Sequence, residues 1–318
     1  MTLASAIALR PDDGAPFLLT FSDSRLTLGA SGGDPSSWTH TVIKSVGLGP
    51  KSVVLMAGST TLPVVTAAEV ARGLIANANA NRSGLTPMSL LEEARQFLAV
   101  HQLCFRNVPE SSSHRADAIV AGFFADGVPG LVHVSNQNDS SQLEVYRPRR
   151  GDFSVVTIGD PYYAGIATQG IGETLLTSPT GGALIQQVAS VYWDVIGHEG
   201  TPGIGGGLCL GMCRHDHSCW QWPMVKIGGA SFYRGLPVEK IPDEWLPATV
   251  DIRHNGKAFA RLERSCPPQG FATRYPMGAI TNNKETVRLA FDPSDWEPTA
   301  DEAVILGGTV QNRSSERT

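Results

Sequence analysis

Three residues near the start of the chain have the right types to activate a hydroxyl together: Thr2, Asp23 and Lys44. Removal of Met1 would make Thr2 the terminal residue, and Thr is small enough for the usual methionine trimming. An N-terminal threonine carries its nucleophile and a base in one residue. Its free α-amine, with a reference pKa of about 7.7–8.0, accepts the hydroxyl proton near neutral pH. A lysine beside a carboxylate favours the ionised acid and lowers the proton affinity of nearby oxygen and nitrogen. By residue type alone, Thr2 also suits an ordinary first strand and Lys44 a water-facing edge strand.

These residues need a scaffold that brings them together. Met1 to Leu9 reads as a strand, Arg10 to Pro16 as a turn and Phe17 to Asp23 as a second strand, which is a hairpin signal. A turn centred on Asp12 and Asp13 sets Thr2 opposite Asp23. His40 to Val46 reads as a strand carrying Lys44, Gly47 to Lys51 turns it back, and Ser52 to Ala57 is a buried strand. Gly58 then leads into a helix through about Ala80, with Pro63 in its first turn. Having no side chain, Gly58 lets a backbone N–H approach a substrate carbonyl. Thr86 as N-cap and Pro87 at the first position start a second helix, with Leu90, Leu91, Ala94, Phe97, Leu98, His101 and Leu103 in a helical apolar pattern. Strands follow at 117–124, 130–134, 142–146 and 153–158, with Asp126-Gly127 as a turn. Helical material spans Glu173 to Ile196, broken at 178–182. A further hairpin spans Cys209 to Cys219. From about Leu236 the chain is again β-like, with a hairpin over 249–262 turning at Asn255-Gly256 and strands at 286–291 and 302–306.

With Ser22-Asp23-Ser24-Arg25 and Leu55-Met56-Ala57-Gly58-Ser59 added to Thr2 and Lys44, the chain resembles the proteasome β-subunit family of N-terminal nucleophile hydrolases. The resemblance covers about residues 2–234. It implies an α+β fold, a four-layer αββα sandwich, followed by a β-rich extension over 235–318. It implies that Thr2 attacks, that Asp23 and Lys44 tune it, that the Gly58 N–H holds the oxyanion, and that Met56 and Ser24 line the substrate pocket. It also implies a homo-oligomer with enclosed sites, for which Ala67, Ala68, Ala71, Ala76 and Ala78 offer a close-packing helix face. That face suits packing on a sheet equally well. Two departures stand out. Gly159-Asp160-Pro161-Tyr162-Tyr163 is a shortened form of the family's turn, with Asp160 in place of its supporting Ser. The Gly run around Gly203 lacks the Asp and the Ser that the family has there.

Composition narrows the classes. The chain has 318 residues, 42% hydrophobic and 17% charged, with net charge -5, which argues against a nucleic-acid surface. No apolar run reaches membrane-spanning length, and Arg10 interrupts the first one too early for a signal peptide, so a cytoplasmic protein is expected. Five cysteines without a signal sequence favour reduced thiols. Cys209, Cys213, His215, His217 and Cys219 lack a zinc-knuckle spacing and read as a strand hairpin, so no metal and no cofactor are expected. Gly29-Ala30-Ser31-Gly32-Gly33 matches a nucleophile-elbow pattern but is followed by loop residues instead of a helix.

The expected function is a threonine-type peptidase or amidohydrolase acting on a peptide or other amide. The alternatives are a catalytically silent proteasome-like assembly protein, and a serine hydrolase using Ser31.

Overall fold

The computed structural model describes residues 2–27, 38–39, 44–49, 51–58, 62–82, 87–105, 116–137, 140–177, 182–197, 204–215, 220–222, 224–227, 230–233, 236–237, 249–254, 257–263, 275–276 and 309–310. The chain is α+β. Two strands open it, β1 (Leu3–Arg10) and β2 (Phe17–Asp23), followed by the short β3 (Leu26–Thr27) and β4 (Trp38–Thr39). Next come β5 (Ser45–Gly49), β6 (Ser52–Gly58), α1 (Leu62–Asn81) and α2 (Leu90–Phe105). Strands β7 (Ala116–Phe123), β8 (Pro129–Gln137), β9 (Ser140–Tyr146) and β10 (Asp152–Gly159) precede α3 (Pro161–Thr177) and α4 (Gly182–Ile196). Strands β11 (Leu208–Arg214), β12 (Trp220–Trp222), β13 (Met224–Ile227), β14 (Ala230–Tyr233) and β15 (Leu236–Pro237) come next. The last are β16 (Thr249–His254), β17 (Lys257–Glu263), β18 (Tyr275–Pro276) and β19 (Thr309–Val310).

Two sheets dominate, ordered β10-β1-β2-β11-β12-β18 and β5-β6-β7-β8-β9. Every pairing among the described residues is antiparallel. Their side chains build three cores. Leu3, Ile7, Leu19 and Phe21 pack against α3 and α4 through Ala167, Ile171, Val188 and Tyr192. Val54, Met56, Val120 and Val132 pack against α1 and α2 through Ala67, Ala71, Phe97 and Val100. Between the sheets, Ala4, Ala6, Ala8 and Leu18 meet Val53, Leu55, Ile119 and Leu131. Strand β1 is therefore buried on both faces, which is why its sequence is almost continuously apolar. Its alternate residues are alanines on the inter-sheet face and larger residues on the helix face.

The structure corrects several expectations. Ala4 pairs with Ser22 across β1 and β2, so the register puts Leu3, not Thr2, level with Asp23. The turn is centred on Asp13 and not between Asp12 and Asp13, which slips the register by one residue, and a one-residue slip exchanges the faces of a strand. Helix α2 is capped by Ser89: its N–H donates to Glu92 Oε2 at 2.7 Å, and the Glu92 N–H reaches Ser89 Oγ at 3.5 Å. This Ser-x-x-Glu box replaces the expected Thr86 cap, and Thr86 lies outside the described residues. Helix α3 begins at Pro161, well before Glu173. Lys44 precedes β5 instead of lying within a strand. Ala67, Ala68 and Ala71 are buried on the sheet, while Ala76 is exposed. Cys213 is disulfide-bonded, against the expectation of reduced thiols. The hairpin over 249–262 is present as β16 and β17, and the strands expected at 286–291 and 302–306 lie outside the described residues. No helix among the described residues is long and apolar enough to cross a membrane.

One buried acid makes the fold pH-sensitive. Glu93 on α2 is 4% exposed beside Ser52 at the start of β6. Burial raises its pKa to about 7, the nearby Ser52 hydroxyl opposes the shift, and nearby Glu92 adds to it. Between about pH 4.5 and about pH 7 the folded chain therefore holds a proton that the unfolded chain has lost. Stability from this group falls as pH rises through that window. Replacing Glu93 by Gln is expected to leave stability unchanged near pH 4 and to raise it by on the order of 1–3 kcal/mol at pH 8. Urea denaturation of both proteins across that range checks it. Equal pH slopes would show that Glu93 is not protonated in the fold.

Candidate active site

Asp23 ends β2 with no exposed surface. A buried carboxylate is costly unless its lone pairs are filled. Lys44 Nζ donates to Oδ1 at 2.6 Å, and the Leu3 N–H donates to the same oxygen at 3.0 Å. The Gly205 N–H donates to Oδ2 at 3.1 Å. Lys44 is itself 1% exposed, so the ion pair is buried on both sides. Its ammonium is thus one carboxylate oxygen away from the peptide nitrogen that joins Thr2 to Leu3.

Thr2 is 2% exposed, and its backbone is held. The Asp160 N–H donates to its carbonyl at 3.2 Å. Gly159, at φ 124°, brings the chain so close that a Cβ there would overlap that carbonyl oxygen. Only glycine meets both conditions. The Asp160 side chain, expected to stand in for a supporting Ser, caps α3 instead. Its Oδ1 accepts the N–H groups of Tyr162 and Tyr163 at 3.0 and 3.4 Å. Asp-Pro at N-cap and first position is a helix start readable in the sequence. Tyr192 of α4, fully buried, donates its hydroxyl to the Leu3 carbonyl at 2.5 Å.

The loop before β11 closes the site from the far side. The Gly207 N–H donates to Ser24 Oγ at 2.8 Å, and the Arg25 N–H donates to the Gly205 carbonyl at 3.0 Å. Gly205 has φ 145°, and a side chain there would collide with the Arg25 guanidinium. Ser24, expected to line a substrate pocket, is fully buried and its hydroxyl holds this loop. Cys209 on β11 neighbours the pair. Burial pushes its thiol up to about 12, Asp23 adds to the shift, and Ser22 and Lys44 oppose it. The thiol therefore stays neutral and does not compete as a nucleophile.

Lys44 is tied to β6 by its backbone, since the Met56 N–H donates to its carbonyl at 3.0 Å. Met56 is 3% exposed and packs in the core under α1 and α2. Gly58 ends the same strand two residues on, opposite Ala116. The β6 end, Lys44, Asp23 and the start of β1 thus converge at one end of the two sheets. Ser31 and Gly203 lie outside the described residues. Among the described residues, no group of three or more His, Cys, Asp or Glu is arranged to hold a metal ion.

Reading by residue type finds Asp23 and Lys44 and misses Tyr192, Gly205 and Gly207. Tyr192 sits in an apolar helix pattern where an aromatic reads as core. Gly205 and Gly207 act through backbone N–H groups, which no residue type advertises. No protein-family model matches the chain, and no curated protein matches it.

The ion pair makes a sharp energetic prediction. Replacing Asp23 by Asn leaves Lys44 buried without its counter-charge, and replacing Lys44 by Met leaves the carboxylate alone. Each is expected to cost about 3–5 kcal/mol. The double variant removes both charges and is expected to be more stable than the sum of the single losses predicts, by at least about 1 kcal/mol. Additive losses in chemical denaturation would show that the two groups do not sense each other.

Proposed function

We propose that the chain is an N-terminal threonine hydrolase of the proteasome β-like class, its two sheets and two helix pairs forming a four-layer αββα sandwich over residues 2–234. The observation that carries this reading is the buried Lys44–Asp23 pair, one of whose carboxylate oxygens also accepts the Leu3 N–H next to Thr2.

The chemistry starts once the bond before Thr2 is cut. The freed α-amine takes the Thr2 hydroxyl proton, directly or through a water, as Oγ1 attacks the substrate carbonyl. Asp23 holds the Lys44 ammonium, whose charge stabilises the ionised form of the nucleophile. The Gly58 N–H stabilises the developing oxyanion. The protonated amine then returns its proton to the leaving nitrogen, leaving an ester on Thr2. Water, deprotonated by the same amine, hydrolyses that ester and frees the acid. The substrate is a peptide or another amide, and no cofactor takes part. Residues 235–318 act as an added β-rich segment, and the working form is a homo-oligomer.

The near-complete burial of Thr2 supports a second reading, a silent scaffold of the same fold. One experiment separates them. Intact mass and N-terminal sequencing are read before and after a β-lactone trap. A hydrolase begins at Thr2 and gains one adduct there, and Thr2→Ala loses both adduct and turnover by about 10³-fold or more. A chain that keeps residues before Thr2 and takes no adduct is the scaffold.

A further inference from the structure

The sheet β5-β6-β7-β8-β9 ends on β9, whose outer edge has no partner strand among the described residues. An edge strand is held by one ladder and by the side chains that cross it. His133 of β8 stands directly opposite Glu144 of β9. Asp117 of β7 lies one diagonal step from His133, opposite Ser135. Asp117 and His133 alternate along their strands with Ile119 and Leu131, and Glu144 with Tyr146, so all three lie on the face turned to the other sheet.

The His133 ring meets a carboxylate at each nitrogen. Nε2 is 3.7 Å from Asp117 Oδ1, and Nδ1 is 3.6 Å from Glu144 Oε2. Nε2 and Asp117 Oδ1 are both buried, and neither has a hydrogen-bond partner. The Tyr146 hydroxyl donates to the same Glu144 oxygen at 2.7 Å. A carboxylate only accepts, and a neutral imidazole has one N–H and one lone pair. A neutral ring in this place turns its lone pair toward one of the two acids, whereas the imidazolium offers an N–H to each. The Asp117 carboxylate raises the His133 pKa, partial burial opposes the rise, and Glu144 adds to it. The other sheet turns Ala4, Ala6, Ala8, Val156 and Ile158 toward this space, and the charges that act on the ring are those of the two acids. Beyond Tyr146, Arg147 pairs with Asp126 and lies 5.0 Å from the centre of the Phe124 ring, which pins the other end of β9.

We propose that His133 is a proton-operated clamp that fastens the first half of β9 to the sheet and releases it when the ring loses its second proton. Asp117 extends the clamp toward the candidate site, since it pairs with Ala57 while Ala116 beside it pairs with Gly58. A pKa raised by folding gives stability that is complete below the ordinary imidazole value of about 6.5 and is lost as pH rises through the folded value. Glu144 stays ionised below the usual carboxylate range, chiefly because of the Tyr146 hydroxyl and then His133, so the clamp also holds in mild acid. It depends on the fold and not on the hydrolase reading.

The test follows the His133 Cε1–H by NMR against pH, together with hydrogen exchange of the protected β9 amides. The parent is expected to titrate with a midpoint above about 6.5. Asp117→Asn and Glu144→Gln are each expected to lower that midpoint, and the double variant to bring it to about 6.5 or below. After correction for intrinsic exchange, β9 opening is expected to rise between about pH 6 and about pH 9 by about tenfold for each unit by which the midpoint exceeds 6.5. In His133→Gln that rise is expected to vanish. A parent midpoint at or below 6.5, or one unmoved by both carboxylate changes, overturns the clamp. A rise that is the same in His133→Gln as in the parent overturns the fastening of β9. If His133→Gln does not fold, Glu144→Gln replaces it, an exposed side chain whose loss the fold tolerates better. A smaller rise than the parent's is then the expected result, and an equal one is the contrary one.

Discussion

A carboxylate sealed from water has to draw its partners from whatever the chain can bring to it, and Asp23 draws on three separate segments. The first strand supplies the Leu3 N–H, the residue before β5 supplies the Lys44 ammonium, and the loop before β11 supplies the Gly205 N–H. Those segments belong to both major sheets and to the connection that follows the last long helix. A buried ion pair is poor evidence of stability in itself, because desolvation offsets much of the attraction. What it does give is definition: an alternative packing that separates Lys44 from Asp23 strands two charges in a core. The start of β1 is fixed for the same reason, since its backbone supplies one of the donors that satisfies the acid.

Much of the fold was legible because its strands alternate and its turns use familiar residues. The first hairpin, the run from Ser52 into a long helix, and the four strands from Ala116 to Gly159 follow from period-2 patterning and turn signals. The misses have physical causes. The register of the first hairpin rests on a turn with two adjacent Asp residues, and nothing local tells which of them is central. The early start of α3 was hidden by Gly165, Gly170 and Gly172, which weaken a helical pattern, although Asp160-Pro161 announces it. For α2, Thr86-Pro87 and Ser89 are both good caps by type, and the reciprocal Ser89–Glu92 bonds favour the second.

The candidate site divides along the same line. Asp23 and Lys44 could be named because ionisable side chains in apolar strands demand a partner. The parts that could not be named work through backbone or through a residue whose ring is core. The Gly205 and Gly207 N–H groups meet Asp23 and Ser24 from the loop where the resembled family carries an Asp and a Ser. Tyr192 packs as an aromatic while its one hydroxyl donates to the Leu3 carbonyl. A glycine at position 159 is required by the Thr2 carbonyl it touches, a contact that no local pattern encodes.

The central claim is that Asp23 and Lys44 act on Thr2 as one unit. A double-mutant cycle on the single-turnover acylation rate tests it most directly, using Asp23→Asn, Lys44→Met and the double variant in chain that begins at Thr2. Groups that act together lose their effect together, so each single change should slow acylation about as much as both do. Rate losses that multiply, or a variant that acylates as fast as the parent, would contradict it.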